Sequence, residues 1–113
     1  MNIQIFGTKK SNDSKKAERF FKERGIRFQY IDMAEKGLSK GEFQSVLSAA
    51  GDLSAMIDPK AKDRETVQML SYLSAEDAMQ KVFDHQQVLL LPIVRNGKQA
   101  TIGYQPEVWK TWE

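Results

Sequence analysis

Residues 88–104 read VLLLPIVRNGKQATIGY and predict a β-hairpin. The apolar run 88–95 is typical of a buried strand, and the run 99–104 is its returning partner. Asn96-Gly97, between the two runs, is the strongest short hairpin signal in the chain. A terminal helix then begins at Gln105-Pro106-Glu107, because proline is favoured at the first position of a helix. The last third of the sequence therefore predicts a β-β-α unit.

The first 32 residues predict a β-α-β unit. Residues 3–7 form a short strand that ends at a glycine, and residues 26–32 alternate with strand period. Between them, residues 11–24 have the apolar spacing of a helix, which Ser11 or Asn12 can cap. A unit of this kind normally joins two parallel strands by a right-handed crossover.

The middle of the chain, residues 34–87, predicts helices. Ser39-Lys40-Gly41-Glu42 has the spacing of a capping box and starts the first of them. Asp63 caps a short second helix, and Ser74 opens a third. Residues 52–62 are polar and contain a proline, so we expect a loop there.

Length and composition limit the classes of protein to consider. The chain has 113 residues, 41% of them hydrophobic, which suits one compact domain over 1–113. It contains no cysteine, and this rules out disulfides, cysteine-ligated zinc, iron–sulfur clusters and any thiolate nucleophile. No basic stretch precedes a long apolar run, and no run approaches the about 20 residues of a membrane helix. We therefore expect a cytoplasmic protein without membrane contact.

Charge is unevenly distributed along the chain. Lys+Arg number 17 and Asp+Glu 15, a net charge of +2. Residues 1–27 hold eight basic and three acidic residues, a net +5, while the remainder holds nine and twelve, a net −3. The excess lies around Lys9, Lys10, Lys15 and Lys16. It indicates either a solvated helix face or a site for an anion or an acidic partner.

The predicted elements resemble the arrangement of a thioredoxin fold. Their order is β-α-β, three helices and β-β-α, and a proline opens the hairpin strand. The chain also resembles the arsenate reductase (ArsC-like) family, which includes Spx/MgsR-type transcriptional regulators and YffB-type reductases. The similar segments cover nearly the whole chain: Ile3-Gln4-Ile5-Phe6-Gly7, Lys15-Lys16-Ala17 to Phe21, Gly25-Ile26, Leu91-Pro92-Ile93-Val94, Asn96-Gly97-Lys98 and Gly103-Tyr104-Gln105-Pro106-Glu107-Val108-Trp109.

The resemblance implies a thioredoxin-like α/β fold of the ArsC type, with a mixed sheet built from the β-α-β and β-β-α units. Residues 1–33 and 88–113 would form the thioredoxin-like core, and residues 34–87 a helical insertion. It also implies a cis peptide bond before Pro92, which is uncommon enough in folded proteins to serve as a test.

The sequence departs from this family at its nucleophile. The family places a cysteine at the end of the loop before the first helix, and some members have a second cysteine three residues later. Ser11 and Ser14 occupy these positions here. A helix N-terminus stabilises a thiolate, but an alcohol is far too weak an acid to ionise there and cannot exchange with thiols. We therefore assign no catalytic residue and expect neither arsenate reduction nor thiol redox activity.

The resemblance also implies three arginines that bind the oxyanion, and these are missing. The first of these arginines would precede Pro92, where this chain has Leu91. The second would lie close to Pro106, where this chain has Tyr104 and Gln105. The third belongs near 56–58, where no arginine occurs; Arg64 lies a few residues further on and could substitute only if the loop is shaped differently.

Two interpretations of the predicted site remain open. Ser11 is either a plain N-cap or part of a retained anion or thiol-ligand pocket, whose candidate residues are Thr8, Lys9, Lys10, Ser11, Leu91 and Pro92. His85 is the single histidine, so we expect no metal site.

The sequence therefore predicts a cysteine-free ArsC-like protein that acts as a binding or regulatory module and works as a monomer. One alternative is a glutathione- or thioredoxin-linked oxidoreductase, with glutathione as the one ligand to consider. Another is an Spx-like regulator that binds the RNA polymerase α-subunit. We expect no direct contact with nucleic acid.

Overall fold

A computed structural model describes residues 1–112, which contain a four-stranded sheet and five α-helices. The strands are β1 (Ile3–Gly7), β2 (Phe28–Asp32), β3 (Ile93–Asn96) and β4 (Gln99–Ile102). The helices are α1 (Asn12–Glu23), α2 (Lys40–Ala50), α3 (Arg64–Met69), α4 (Ala75–Asp84) and α5 (Pro106–Trp109). Among these residues, no helix is long and apolar enough to cross a membrane.

The sheet joins the two predicted halves of the fold in the order β2-β1-β3-β4. β1 is parallel to β2, with Ile5 opposite Tyr30, and antiparallel to β3, with Phe6 opposite Ile93. β3 and β4 form the antiparallel hairpin. The Leu91–Pro92 peptide bond is cis. The predicted α/β fold of thioredoxin type, with a mixed sheet, is therefore confirmed.

The helix boundaries follow the predicted caps. The Ser11 side chain accepts a hydrogen bond from the backbone N–H of Ser14 at the start of α1, and Gly25 follows the helix with a φ of 68°. At α2, Ser39 and Glu42 form the complete capping box. Ser, Asp and Glu at these positions satisfy N–H groups that have no partner inside a helix.

Alternating strand residues supply two hydrophobic clusters, one on each face of the sheet. Ile5 and Val94 pack with Phe21 and Trp109 on the face that α1 and α5 cover. The second cluster lies on the opposite face, beneath the helices of residues 34–87, and includes Phe6, Phe43, Val46, Val82 and Ile93. Because side chains alternate along a strand, adjacent strand residues such as Ile5 and Phe6 serve different clusters.

Two boundaries differ from the sequence prediction. The strand predicted over 88–95 is wrong in its first half, because β3 begins only at Ile93 and a 3-10 turn spans Gln86–Val88. Pro92 has no N–H to donate to a strand ladder, so pairing starts after it. The returning strand ends at Ile102, because Gly103 turns the chain with a φ of 81°.

Two loops also differ in detail. The hairpin turn is centred on Gly97 and Lys98, since Asn96 already pairs with Gln99. Residues 52–62, predicted to be loop, include a 3-10 helix at Leu53–Met56 whose last side chain is fully buried. Met56 and Ala61 are buried in this segment, and their spacing has no helix or strand periodicity that would have predicted the 3-10 helix.

Candidate functional site

The candidate site lies where the ends of three strands meet at one edge of the sheet. Because Phe6 pairs with Ile93, the chain leaving β1 lies beside the cis-proline that precedes β3. The carbonyl of Gly7 accepts a hydrogen bond from Met33 at 2.8 Å, which places the end of β2 at the same edge. The carbonyl of Pro92 accepts one from Gly103, also at 2.8 Å. The start of the loop between β1 and α1 is thus fixed to the end of β2, beside the segment that precedes β3.

Ser11 is the N-cap of α1. Its backbone has extended geometry, and its Oγ accepts from the N–H of Ser14 at 3.1 Å. Its own N–H donates to the Thr8 carbonyl at 3.2 Å, so the loop closes into a tight turn before the helix. The hydroxyl of Ser11 is therefore committed to the helix terminus.

Ser14 lies in the first turn of α1, and its side chain is fully buried. Its Oγ accepts a hydrogen bond from the Thr8 N–H at 3.4 Å and is also hydrogen-bonded to the Tyr30 hydroxyl on β2. Gly7 lies against this pair, because a Cβ added there would be 2.5 Å from Ser14 Oγ and 2.8 Å from Tyr30 Oη. A larger residue at position 7 would displace the cluster.

Tyr30 carries a hydroxyl whose pKa is raised. Partial burial of the ring is the main cause, and the negative charges of Glu18 and Asp32 raise the pKa further, while the hydrogen bond with Ser14 opposes both. The phenol therefore stays protonated at neutral pH and serves the cluster as a hydrogen-bonding group. The sequence assigned Tyr30 only to a strand. Its place opposite Ile5, on the face of the sheet that α1 covers, follows from the pairing of β2 with β1.

The other predicted residues lie around this cluster. Lys9 and Lys10 are exposed at the tip of the loop, and neither forms an ion pair with another residue in the described part of the chain. Leu91 is half-buried and Pro92 is buried. The structure thus joins Thr8, Ser11 and Ser14 directly, and brings the cis-proline to the same edge of the sheet.

Two remaining candidates lie elsewhere. His85 follows the last turn of α4, where Nδ1 lies 3.0 Å from the Lys81 carbonyl oxygen. The Arg64 guanidinium donates to the carbonyl oxygens of Pro59 and Ala61 at 3.1 and 3.3 Å, so it is occupied in its own loop. Over residues 1–112, no group of three or more metal-ligating side chains is close enough to hold an ion.

The site offers amide and hydroxyl hydrogen bonds, a helix N-terminus and nearby positive charge. Such a site can bind an anion or a polar main chain. Neither serine lies beside a histidine that could act as a general base, and neither hydroxyl ionises near neutral pH.

Comparison with known proteins places this geometry in context. The ArsC family model matches residues 6–112. An arsenate reductase from Vibrio cholerae has a similar structure, with a TM-score of 0.82, 24% identity, and coverage of 96% of this chain and 94% of that chain. A Bacteroides fragilis protein described as ArsC family related has a TM-score of 0.87 at 14% identity, over 100% and 98%.

An arsenate reductase (ArsC) related protein from Brucella melitensis is also similar, with a TM-score of 0.67, 16% identity, and coverage of 99% and 94%. No curated protein is similar enough to match the chain. At these identities, the solved structures establish a shared fold.

Proposed function

The chain belongs to the ArsC family, and on that premise we propose that it is a member without thiol redox chemistry that acts as a binding or regulatory module. The observation that supports this most directly is the bonding of Ser11 and Ser14. One hydroxyl caps α1, and the other is buried between the loop and β2. Both side chains are used to build the loop.

The chemistry of oxygen and sulfur gives the reason. Attack on arsenate, or on a disulfide, requires a thiolate, which a helix N-terminus and nearby lysines readily stabilise. A serine hydroxyl at the same point keeps its proton at neutral pH and cannot form or exchange a disulfide. The chain contains no cysteine at all to take over this role.

The binding role follows from what the loop retains. The N-terminus of α1, Lys9 and Lys10 present donors and positive charge, and residues 1–27 carry a net +5. Such a surface attracts anionic groups and raises the association rate of an acidic partner. We therefore assign the basic face around the β1–α1 loop and α1 as the contact surface for a negatively charged partner.

The test is a coupled reductase assay on the purified chain, with arsenate or a mixed disulfide as substrate and glutathione with glutaredoxin, or thioredoxin, as reductant. We expect no turnover above the rate without protein. A cysteine-containing arsenate reductase assayed in parallel controls for the reagents. Turnover that co-purifies with the chain and persists in a second, independent preparation would refute the proposal.

A glutathione site is the second candidate, because cis-Pro92 and the start of α1 lie at the same edge of the sheet. Glutathione is an anionic peptide whose binding needs main-chain and cationic contacts, while only its turnover needs a thiolate. Titration followed by NMR chemical shifts should move the amides of 8–11 and 93 together. If the amides of 8–11 and 93 do not shift at millimolar glutathione, this candidate is eliminated.

A further inference from the structure

A groove of about 520 Å³ runs between α1 and the C-terminal segment, on the side of α1 away from its N-terminus. Lys16 and Arg19 line one wall, Lys110 lines the other, and Phe20, Tyr104 and Pro106 supply the apolar surface. The groove is distinct from the β1–α1 loop, since none of the residues 7–14 lines it.

The cations of this groove are available to a partner. Lys16 Nζ lies 3.9 Å from Asp13, with both side chains about half exposed, and 5.6 Å from the centroid of the Tyr104 ring. Lys110 Nζ lies 3.1 Å from Glu107. Exposed pairs of this i,i+3 kind are weak and screened by salt. A carboxylate of a partner can therefore replace the internal one at little cost, and Arg19 projects from the same exposed face of α1.

The aromatic rings of the groove pack against Trp109. Tyr104 is 40% exposed, and its ring meets the fully buried Trp109 edge to face at 5.4 Å. Phe20 meets Trp109 at 5.2 Å and is covered by the Arg24 guanidinium, 3.7 Å from its ring centroid. Phe20 is therefore buried beneath Arg24, and Tyr104 is the ring of this pair that a ligand can contact. Because Tyr104 packs against Trp109, the contact costs little conformational entropy.

We propose that this groove binds an acidic segment of a partner protein that carries one apolar anchor residue. Carboxylates of the segment pair with Lys16, Arg19 and Lys110, and the anchor packs against Tyr104. The inference rests on the proposed binding function and names its surface and the chemistry of the partner. From residue 16 to residue 24, α1 rises about 12 Å, which an extended segment of about four residues spans.

The acids of the groove favour a peptide over a nucleic acid. Glu23 and Glu107 lie among the cations. A nucleic acid carries a negative charge at every nucleotide, so some of its phosphates would be repelled by these carboxylates. A peptide can place uncharged residues opposite them.

The experiment measures binding of a fluorescein-labelled peptide with a central leucine flanked on each side by Asp-Ser-Glu, so that charged and uncharged positions alternate. Fluorescence anisotropy gives the affinity, and ¹⁵N chemical shifts locate the site. We expect the shifts on α1 and residues 103–110. A peptide with Asn and Gln in place of the acids, and one with glycine in place of leucine, should each bind at least about tenfold more weakly.

Matched charge reversals test the assignment. Lys16→Glu with Arg19→Glu should weaken binding by about tenfold or more, with a loss that shrinks as salt rises. Lys60→Glu with Lys62→Glu makes the same change of charge at two exposed positions before α3, outside both the groove and the basic face, and should alter affinity less than about twofold. Tyr104→Gln should weaken the leucine peptide and leave the glycine peptide unchanged.

Three results would overturn the proposal: no binding of the acidic peptide, equal effects of the two double variants, or tighter binding of oligo-dT through the same lysine and arginine. None of them bears on redox chemistry, which the reductase assay decides without any peptide. Failure of the groove and failure of the proposed function are therefore separate outcomes.

Discussion

The buried hydroxyl of Ser14, in the first turn of α1, is hydrogen-bonded to the hydroxyl of Tyr30 on β2. The same Ser14 oxygen accepts the N–H of Thr8, so one atom ties the loop, the helix and the strand together. Ser14, at the second cysteine position of the family, therefore has a structural role in this chain. Its neighbours are hydrogen-bonding groups, which suit a hydroxyl.

The first prediction concerns this pair. Ser14→Ala leaves the Thr8 N–H and the Tyr30 hydroxyl without their partner, and should lower the free energy of unfolding by about 1–3 kcal/mol. Tyr30→Phe keeps the Thr8 bond and should cost less, about 1 kcal/mol. Because the two side chains share one bond, the double variant should be less destabilised than the sum. Urea unfolding of the four proteins measures this.

The control for this cycle is Ser48→Ala, an exposed change in α2 that should stay within about 0.5 kcal/mol of the parent. Strict additivity of Ser14→Ala and Tyr30→Phe would show that the hydroxyls do not interact in solution.

The second prediction concerns the electrostatics of the β1–α1 loop. A Ser11→Cys thiol would lie at the N-terminus of α1 near Lys9 and Lys10, and these favour its thiolate. We expect its pKa to fall below the about 8.5 of a free cysteine. Alkylation by iodoacetamide as a function of pH gives the value.

Ser48→Cys is the matched control for that thiol. Position 48 is exposed in the last turn of α2, where the helix dipole opposes a negative charge. Its pKa should therefore be higher than that of S11C. If the pKa of S11C were the higher of the two, the loop would lack the positive electrostatic potential that stabilises a thiolate.

Local patterns in the sequence were enough for α1, α2 and β2, because the two helices have a clear period and a cap and the strand has a clear alternation. The run 88–95 was not, because a buried apolar run does not distinguish a strand from an irregular buried segment. The burial of Ser14 and its bond to Tyr30 could not be foreseen either, since the two residues meet only when β2 pairs with β1. The groove lined by Lys16 and Lys110 likewise exists only after the chain ends are packed together.

The third prediction concerns the contact between Leu38, just before α2, and Gln86, just after α4. The Gln86 side chain accepts from the Leu38 N–H at 2.7 Å and donates to the Leu38 carbonyl at 3.0 Å, which mimics a strand pairing. Gln86→Ala leaves both backbone groups unpaired and should lower the free energy of unfolding by about 1–3 kcal/mol.

Gln86→Glu tests the direction of these bonds, since it keeps the acceptor for the N–H but turns the donor into a second acceptor that faces a carbonyl. It should be destabilised as well. Gly37→Ala should act in the same way, because its added Cβ would lie 2.6 Å from the Gln86 acceptor oxygen. Stability unchanged in Gln86→Ala would show that water satisfies Leu38 equally well.

The fourth prediction concerns acid stability. Asp63 caps α3, and hydrogen bonds from the Thr66 hydroxyl at 2.7 Å and the Thr66 N–H at 3.1 Å lower the pKa of its carboxyl. A carboxyl whose pKa is lower in the folded chain stabilises the fold above its unfolded pKa, and this contribution is lost as pH falls through the folded value. Stability should therefore decline below about pH 4.

Asp63→Asn keeps a capping oxygen but has no proton to gain, so the loss of stability between pH 5 and pH 2 should be smaller than in the parent. Thr66→Val removes the hydroxyl that lowers the pKa of Asp63 most, and should shift the acid transition in the same sense. Urea midpoints at the two pH values measure both effects. If Asp63→Asn lost as much stability as the parent over this range, other carboxyls would govern acid unfolding, and the Asp63–Thr66 cap would be unimportant to it.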